Sequence, residues 1–168
     1  MRYLLLLLSL LTYSAMSAQE LAPHVDIQKY QGPWYVIAYI PTFMDKNWIN
    51  TIESYTWNEE DKVYDVLTTY QKKPGGKQKS LTQTLLPVEG TNNAKWIAKI
   101  WFFIRADYSI HKVADDYSWV VMGHEKRKYM YIMSRKPVMD EKLYQELYAY
   151  ALKLGYKKED IKRQPQGK

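Results

Sequence analysis

The sequence predicts an all-β fold, an eight-stranded antiparallel up-and-down barrel with one α-helix after it, packed on the outside. Three observations carry this. Between Trp34 and Ser134, short runs rich in β-branched and aromatic residues are broken by turn clusters every ~8–12 residues, the spacing of a sandwich or barrel. After Pro137 the pattern switches to a single amphipathic stretch of helical period. Sixteen tyrosines and six tryptophans in 168 residues supply large aromatic walls suited to β-structure.

The chain opens on "MRYLLLLLSLLTYSAMSAQE". Arg2, the apolar run Leu4 to Leu11 and the small residues from Ser14 to Ala18 read as a secretory signal peptide over residues 1–18. The run is too short for a comfortable membrane span. Residues 19–168 are then one exported domain, periplasmic or secreted. The chain has no cysteine, so no disulfide, thiolate chemistry or lipidated N-terminal cysteine is available. A cysteine-free exported chain suits a bacterial periplasm better than animal secretion. The formal net charge of +6 favours anionic surfaces.

Strands are expected near 33–40, 51–57, 62–71, 79–86, 95–103, 108–114, 117–123 and 128–134. The breaks between them are "PTFMDKNWIN", "NEED", "KPGGK", "EGTNN", "RAD", "ADD" and "HEKR". Mostly short links make a meander, and closing it removes the exposed edges. The helix is expected at about 140–154. Leu143, Leu147, Tyr150, Ala151 and Leu154 form its apolar stripe, Asp140 and Glu141 sit at its positive end, and Gly155 stops it. The polar tail "YKKEDIKRQPQGK" is expected to be loosely held.

Gly32-x-Trp34-Tyr35 opening the first strand, Asp116-Tyr117 before the seventh and Arg135 closing the eighth resemble the three signature regions of lipocalins. The run Ile132-Met133-Ser134-Arg135-x-Pro137 before a helix, and "KIWFF" at 99–103, look most like the bacterial outer-membrane and apolipoprotein D branch. The resemblance implies a floor in which Arg135 covers the indole of Trp34, with Gly32 beside them, a structural role and not a catalytic one. Relatives in bacteria often end the leader in a lipidated cysteine, absent here. Pro33 and Tyr39 also depart from the usual pattern, without bearing on the fold.

An eight-stranded barrel has room for one small ligand. If Trp34 points inward, strand alternation takes Val36 and Ala38 with it. Extended by resemblance, this parity places Glu53, Tyr55, Leu81, Gln83, Leu85, Ile100, Phe102, Trp119, Val121, Tyr129, Tyr131 and Met133 inside, and turns Met130 and Ile132 out toward the helix. Lys112 shares the inward parity, and Asp65 is a further candidate. Three readings compete for the charged members: they pair, they hold a ligand headgroup, or the register is off by one and they face water. For the interior as a whole, a lipid-like pocket competes with a barrel simply filled by rings.

A meander puts alternate connections at opposite ends. The odd set holds Lys46, Lys72, Lys73, Lys77, Arg105, Lys126, Arg127 and Lys128 with Phe43, Met44 and Trp48, whereas the even set is acidic. By lipocalin analogy the odd end is the open mouth, expected to make peripheral contact with anionic membrane. His24, His111 and His124 show no metal spacing, and no P-loop, G-x-S-x-G or G-x-G-x-x-G occurs. No enzyme activity, metal, cofactor or nucleic-acid partner is expected. The function expected is binding, transport or storage of small amphiphiles such as fatty acids or lysophospholipids in the cell envelope. The competing expectation is an envelope interaction protein with a filled barrel and a docking mouth.

Overall fold

The computed structural model describes residues 20–101 and 103–167; the leader read at 1–18 and Phe102 lie outside them. A one-turn helix, α1 (Ile27–Tyr30), precedes eight barrel strands: β1 (Gly32–Tyr39), β2 (Ile49–Asn58), β3 (Val63–Gln71), β4 (Lys79–Pro87), β5 (Lys95–Ile100), β6 (Ile104–Val113), β7 (Trp119–Gly123) and β8 (Met130–Ser134). Helix α2 (Glu141–Lys153), a 3₁₀ turn at Lys158–Asp160 and a two-residue strand β9 (Lys162–Arg163) follow. Each of the eight barrel strands pairs antiparallel with its sequence neighbour, and β1 pairs with both β2 and β8, so the barrel closes.

Asp26 caps α1 by accepting from the Gln28 and Lys29 amides. The chain then turns into β1 through Gly32 at φ +93°, a backbone state that side chains rarely adopt. Asp140 caps α2 by accepting from Leu143 N at 3.0 Å, and Gly155 ends it at φ +89°, as the sequence implied. Leu147 and Ala151 pack against Ile37, Ala38, Val121, Met130 and Ile132 on the barrel's outer face. Each Å² of such apolar surface withdrawn from water contributes ~25 cal/mol, and the barrel face covers the stripe of α2 together with Tyr156 and Ile161 of the tail.

Three expectations change. The fifth strand ends at Ile100 and the sixth begins at Ile104, so Arg105–Asp107, where the sequence predicts the turn, lie inside β6. Ladder irregularities also break the strict alternation. In β1 the register shifts between Val36 and Ala38, and in β6 between Ile110 and Lys112. Each leaves two successive residues on the outer face, Ile37 with Ala38 and His111 with Lys112.

The tail, finally, is not loosely held. The β1–β2 ladder runs only from Gly32–Tyr55 to Tyr35–Ile52. Beyond it, β9 pairs with Ala38 and Tyr39, and Gln164 N donates to Ile37 O at 2.8 Å. Thr51 N donates to Gln164 Oε1 at 2.9 Å, while Gln166 Nε2 bridges Val36 O and Thr51 O at 2.6 and 3.1 Å. The tail thus fills the seam between β1 and β2, satisfying main-chain groups that the barrel itself leaves open.

Candidate functional site

The closed end is built from the three signature regions. The Arg135 guanidinium lies 3.7 Å from the centre of the Trp34 indole. It donates to Pro33 O at 2.9 Å, Lys29 O at 2.8 Å, Tyr30 O at 3.1 Å and Tyr117 O at 3.2 Å. Trp34 Nε1 donates to Tyr30 O at 2.9 Å, and Asp26 N donates to Tyr117 Oη at 2.7 Å. One side chain therefore ties α1, β1 and the β6–β7 turn under the last strand. At Gly32 a Cβ would sit 3.4 Å from the guanidinium.

Above this floor the barrel is solid. Tyr30 and Trp34 (ring centres 5.0 Å apart), Tyr30 and Trp96 (4.8 Å), Tyr30 and Tyr55 (5.1 Å) and Tyr64 and Trp96 (5.2 Å) form a continuous ring cluster. The upper half is hollow. A cavity of about 370 Å³ opens toward the β1–β2, β5–β6 and β7–β8 connections. The two competing sequence readings of the interior each describe one half of it.

Val36, Glu53, Leu81, Gln83, Ile100, Tyr129 and Tyr131 line this cavity. Tyr55 and Leu85 are buried in the core cluster beneath it. Ala38 and Val121, assigned to the interior by parity, lie on the outer face under α2, with Trp119 packed beside them. The β1 bulge accounts for Ala38. For β7, the cross-strand pairs Val121–Ile132 and Val120–Met133 decide, because partners share a face. Lys112 is also outside and exposed, its ammonium 5.8 Å from the Trp119 ring and 5.2 Å from Tyr150 on α2. Asp65 faces solvent on β3.

At the mouth, Phe43 is 79% exposed, and Lys72, Lys73, Lys77, Lys126 and Lys128 are exposed too. Met44 lines the cavity entrance. Two residues expected at the docking surface do other work. Trp48 is buried, stacked on Tyr70 with ring centres 3.6 Å apart. Arg127 turns back to the end of α2, where its Nε donates to Leu154 O at 2.6 Å. In their place stand Trp101 (58% exposed) and Phe103 (77%), rings of the β5–β6 turn. Reading the turn at the polar Arg105–Asp107 hid them inside a strand.

Sequence reasoning also missed Tyr39, Asp45, Thr51, Thr68, Tyr108 and Gln164, all of which line the cavity. Asp45 is buried and satisfied: Oδ1 accepts from Thr42 N and Thr42 Oγ1, and Oδ2 accepts from Tyr131 Oη at 2.9 Å. This pins the β1–β2 loop over the entrance. Glu53 is the charged group that remains. It is half-buried and lines the cavity. Burial pushes its carboxyl up to about 7, opposed by the hydrogen bond it accepts from Tyr55 Oη at 2.5 Å and reinforced by the negative Asp45. Among the described residues no cluster of His, Cys, Asp and Glu could hold a metal ion.

Residues 25–166 match the family model described as a lipocalin-like domain. Temperature-induced lipocalin-1 of Arabidopsis thaliana is 25% identical over 157 residues, covering 88% of this chain and 82% of the plant protein. Among solved structures, insecticyanin of the tobacco hornworm Manduca sexta superposes with a TM-score of 0.70 at 13% identity, over 89% of this chain and 85% of that one. Lobster apocrustacyanin A1 superposes at 0.67 with 14% identity, over 84% and 79% of the two chains. These relatives come from a plant and from arthropods.

Proposed function

This chain belongs to the lipocalin family, and from that premise we propose that it binds and carries one small amphiphile at the cell envelope, exchanging it at a membrane surface. The family and fold imply binding or transport of small hydrophobic ligands. The observation that carries the reading for this chain is the cavity of about 370 Å³, walled mainly by apolar and aromatic side chains and open at one end. We read the protein as a binder on the strength of this cavity.

The crown around the entrance supports the membrane part. Phe43, Trp101 and Phe103 project from two connections beside exposed lysines on two others. Rings of this kind settle at headgroup depth, and each nearby cation adds about 1 kcal/mol on an anionic surface. Among the described residues no helix is long and apolar enough to cross a membrane. Contact of this kind would be peripheral. Export through the leader, a bacterial envelope location and the outer-membrane branch belong to the same proposal; they are supported by the leader's composition, the absence of cysteine and the Ile132–Pro137 run.

Extraction of the purified mature chain followed by mass spectrometry tests the carrier role, with one lipid per chain expected. An empty protein that takes up no fluorescent amphiphile would refute it. Co-sedimentation with vesicles tests the crown. Binding to anionic vesicles should exceed binding to neutral ones, fall with salt, and drop on replacing Phe43, Trp101 and Phe103 together by Ser. Equal, salt-independent binding would remove the electrostatic part.

A further inference from the structure

Among the polar residues of the cavity wall, Thr42, Asp45 and Gln164 are engaged by the β1–β2 loop, Tyr131 and β2, Arg105 and Lys128 stand at the exposed rim, and the rest form one strip. Thr51 and Glu53 on β2, Thr68 on β3 and Gln83 on β4 all face the hollow. Glu53 and Thr68 are direct cross-strand partners, and Gln83 lies one diagonal step further, since Thr68 pairs with Leu81. Such neighbours stand within ~4.5–8 Å of one another, close enough to hold a single polar group together.

The strip holds unused hydrogen-bonding capacity. Thr51 Oγ1 and Thr68 Oγ1 are buried without a hydrogen-bond partner. Thr51 is 4% exposed and Thr68 2%. The Gln83 side-chain amide makes no hydrogen bond among the described residues, and Glu53 is engaged only through its bond from Tyr55. Buried polar groups left without partners are costly, and two such hydroxyls beside a glutamine amide and a carboxyl are an arrangement to be completed by something else. Water can complete it in the empty state and is what a ligand displaces.

The sign of the strip is set by its surroundings. The groups whose charges act on Glu53, or on which it acts, are Asp45 on the β1–β2 loop, Tyr55 beside it, Tyr108 on β6, Tyr131 on β8 and Tyr30 on α1. None is a cation. Arg105 and Lys128 touch the cavity only from its exposed rim. A carboxylate or phosphate brought to the strip would meet an acid with no positive charge to balance it. An ammonium would pair with ionised Glu53 and donate to the two threonine hydroxyls. A ligand hydroxyl would donate to the same acceptors more weakly.

Resting on the carrier reading above, we propose that Thr51, Glu53, Thr68 and Gln83 form a headgroup subsite at the bottom of the hollow, selecting amphiphiles that enter head-down with a hydrogen-bond-donating end, ammonium before hydroxyl. Fatty acids, the expectation from sequence, are disfavoured at this position, and their carboxylate is left at the rim beside Arg105 and Lys128.

The test uses three probes of one chain length, decylamine, decanol and decanoate, titrated by calorimetry into the delipidated mature chain at pH 6 and pH 8. Decylamine should bind at least tenfold tighter than decanoate at pH 8, with decanol between them, and its advantage should shrink at pH 6 as Glu53 takes a proton. Glu53→Gln should cut decylamine affinity about tenfold and leave decanoate unchanged or tighter. Thr68→Val, which preserves shape, should weaken decylamine and decanol severalfold but not decanoate. Decanoate binding as tightly as decylamine at pH 8, or losses shared equally by all three probes in both variants, overturns the subsite while leaving the carrier reading standing. Failure of all three probes to bind overturns both.

Discussion

Replacing Glu53 by Gln should make the protein more stable at neutral pH, and the size of the effect follows from the cavity. Burial raises this carboxyl from its usual 4.5 to about 7 in the folded chain. Below pH 4.5 the group is protonated in both states and contributes no penalty. Between 4.5 and 7 the unfolded chain ionises while the folded one holds its proton, so stability falls as pH rises. Above 7 the loss is complete. At ~1.4 kcal/mol per pH unit over that interval, the folded protein forfeits about 3 kcal/mol at pH 8. Gln has nearly the same shape, its side-chain oxygen can still accept from Tyr55 Oη, and it carries no charge. Urea unfolding followed by near-ultraviolet circular dichroism should therefore show parent and variant alike at pH 4. At pH 8 the variant should be more stable by about 3 kcal/mol, or roughly 6–12 °C in Tm for a chain of this size. Titrations elsewhere cancel in the difference. A difference that is the same at both pH values would mean that Glu53 holds its proton equally well folded and unfolded, and the account of its surroundings would be wrong. A residue retained at such a cost is better explained by binding than by folding.

Arg135→Met keeps most of the aliphatic cover on Trp34 but strands the carbonyls of Lys29, Tyr30, Pro33 and Tyr117. Chemical denaturation should register a loss of about 3 kcal/mol or more, whereas Lys at this position should recover only part of it. Ending the chain at Ile161 removes Gln164 and Gln166 from the β1–β2 seam. The truncated protein should lose about 2–4 kcal/mol and release a bound fluorescent amphiphile faster in stopped-flow exchange; an unchanged release rate would show that the seam does not gate the cavity. Burial holds the His111 imidazole below its usual range, with Arg127 and Lys95 adding to the effect against the Glu20 carbonyl. Its neutral form is favoured on folding, so its contribution is full above about pH 6.5 and declines as pH falls from there. His111→Gln should flatten that part of the difference curve between pH 6.5 and 5, and a parent-minus-variant stability that does not change with pH would refute the assignment.

The parts of the molecule legible in the sequence are those whose physics is local or carried by one residue type. Gly32-x-Trp34, Tyr117 and Arg135 announce the floor because only glycine suits the turn and only a guanidinium can cover an indole while reaching four carbonyls. The caps of α2, Asp140 and Gly155, are likewise readable from the chain, and so are the outward Met130 and Ile132, which a helix stripe demands. Alternation along β2, β4 and β8 held because those stretches run without interruption through the positions in question. What only the tertiary structure decided is where alternation fails. Bulges at Ile37 and His111 move Ala38 and Lys112 to the outer face, and no local residue signal marks them, since a bulge is settled by the length and twist of the partner strand. The same holds for the link between β5 and β6 that exposes Trp101 and Phe103, for the tail that completes the seam, and for the boundary between ring-filled floor and open cavity. Each depends on groups far apart in the chain competing for the same space and the same unpaired backbone atoms, and that competition is resolved only when the barrel closes.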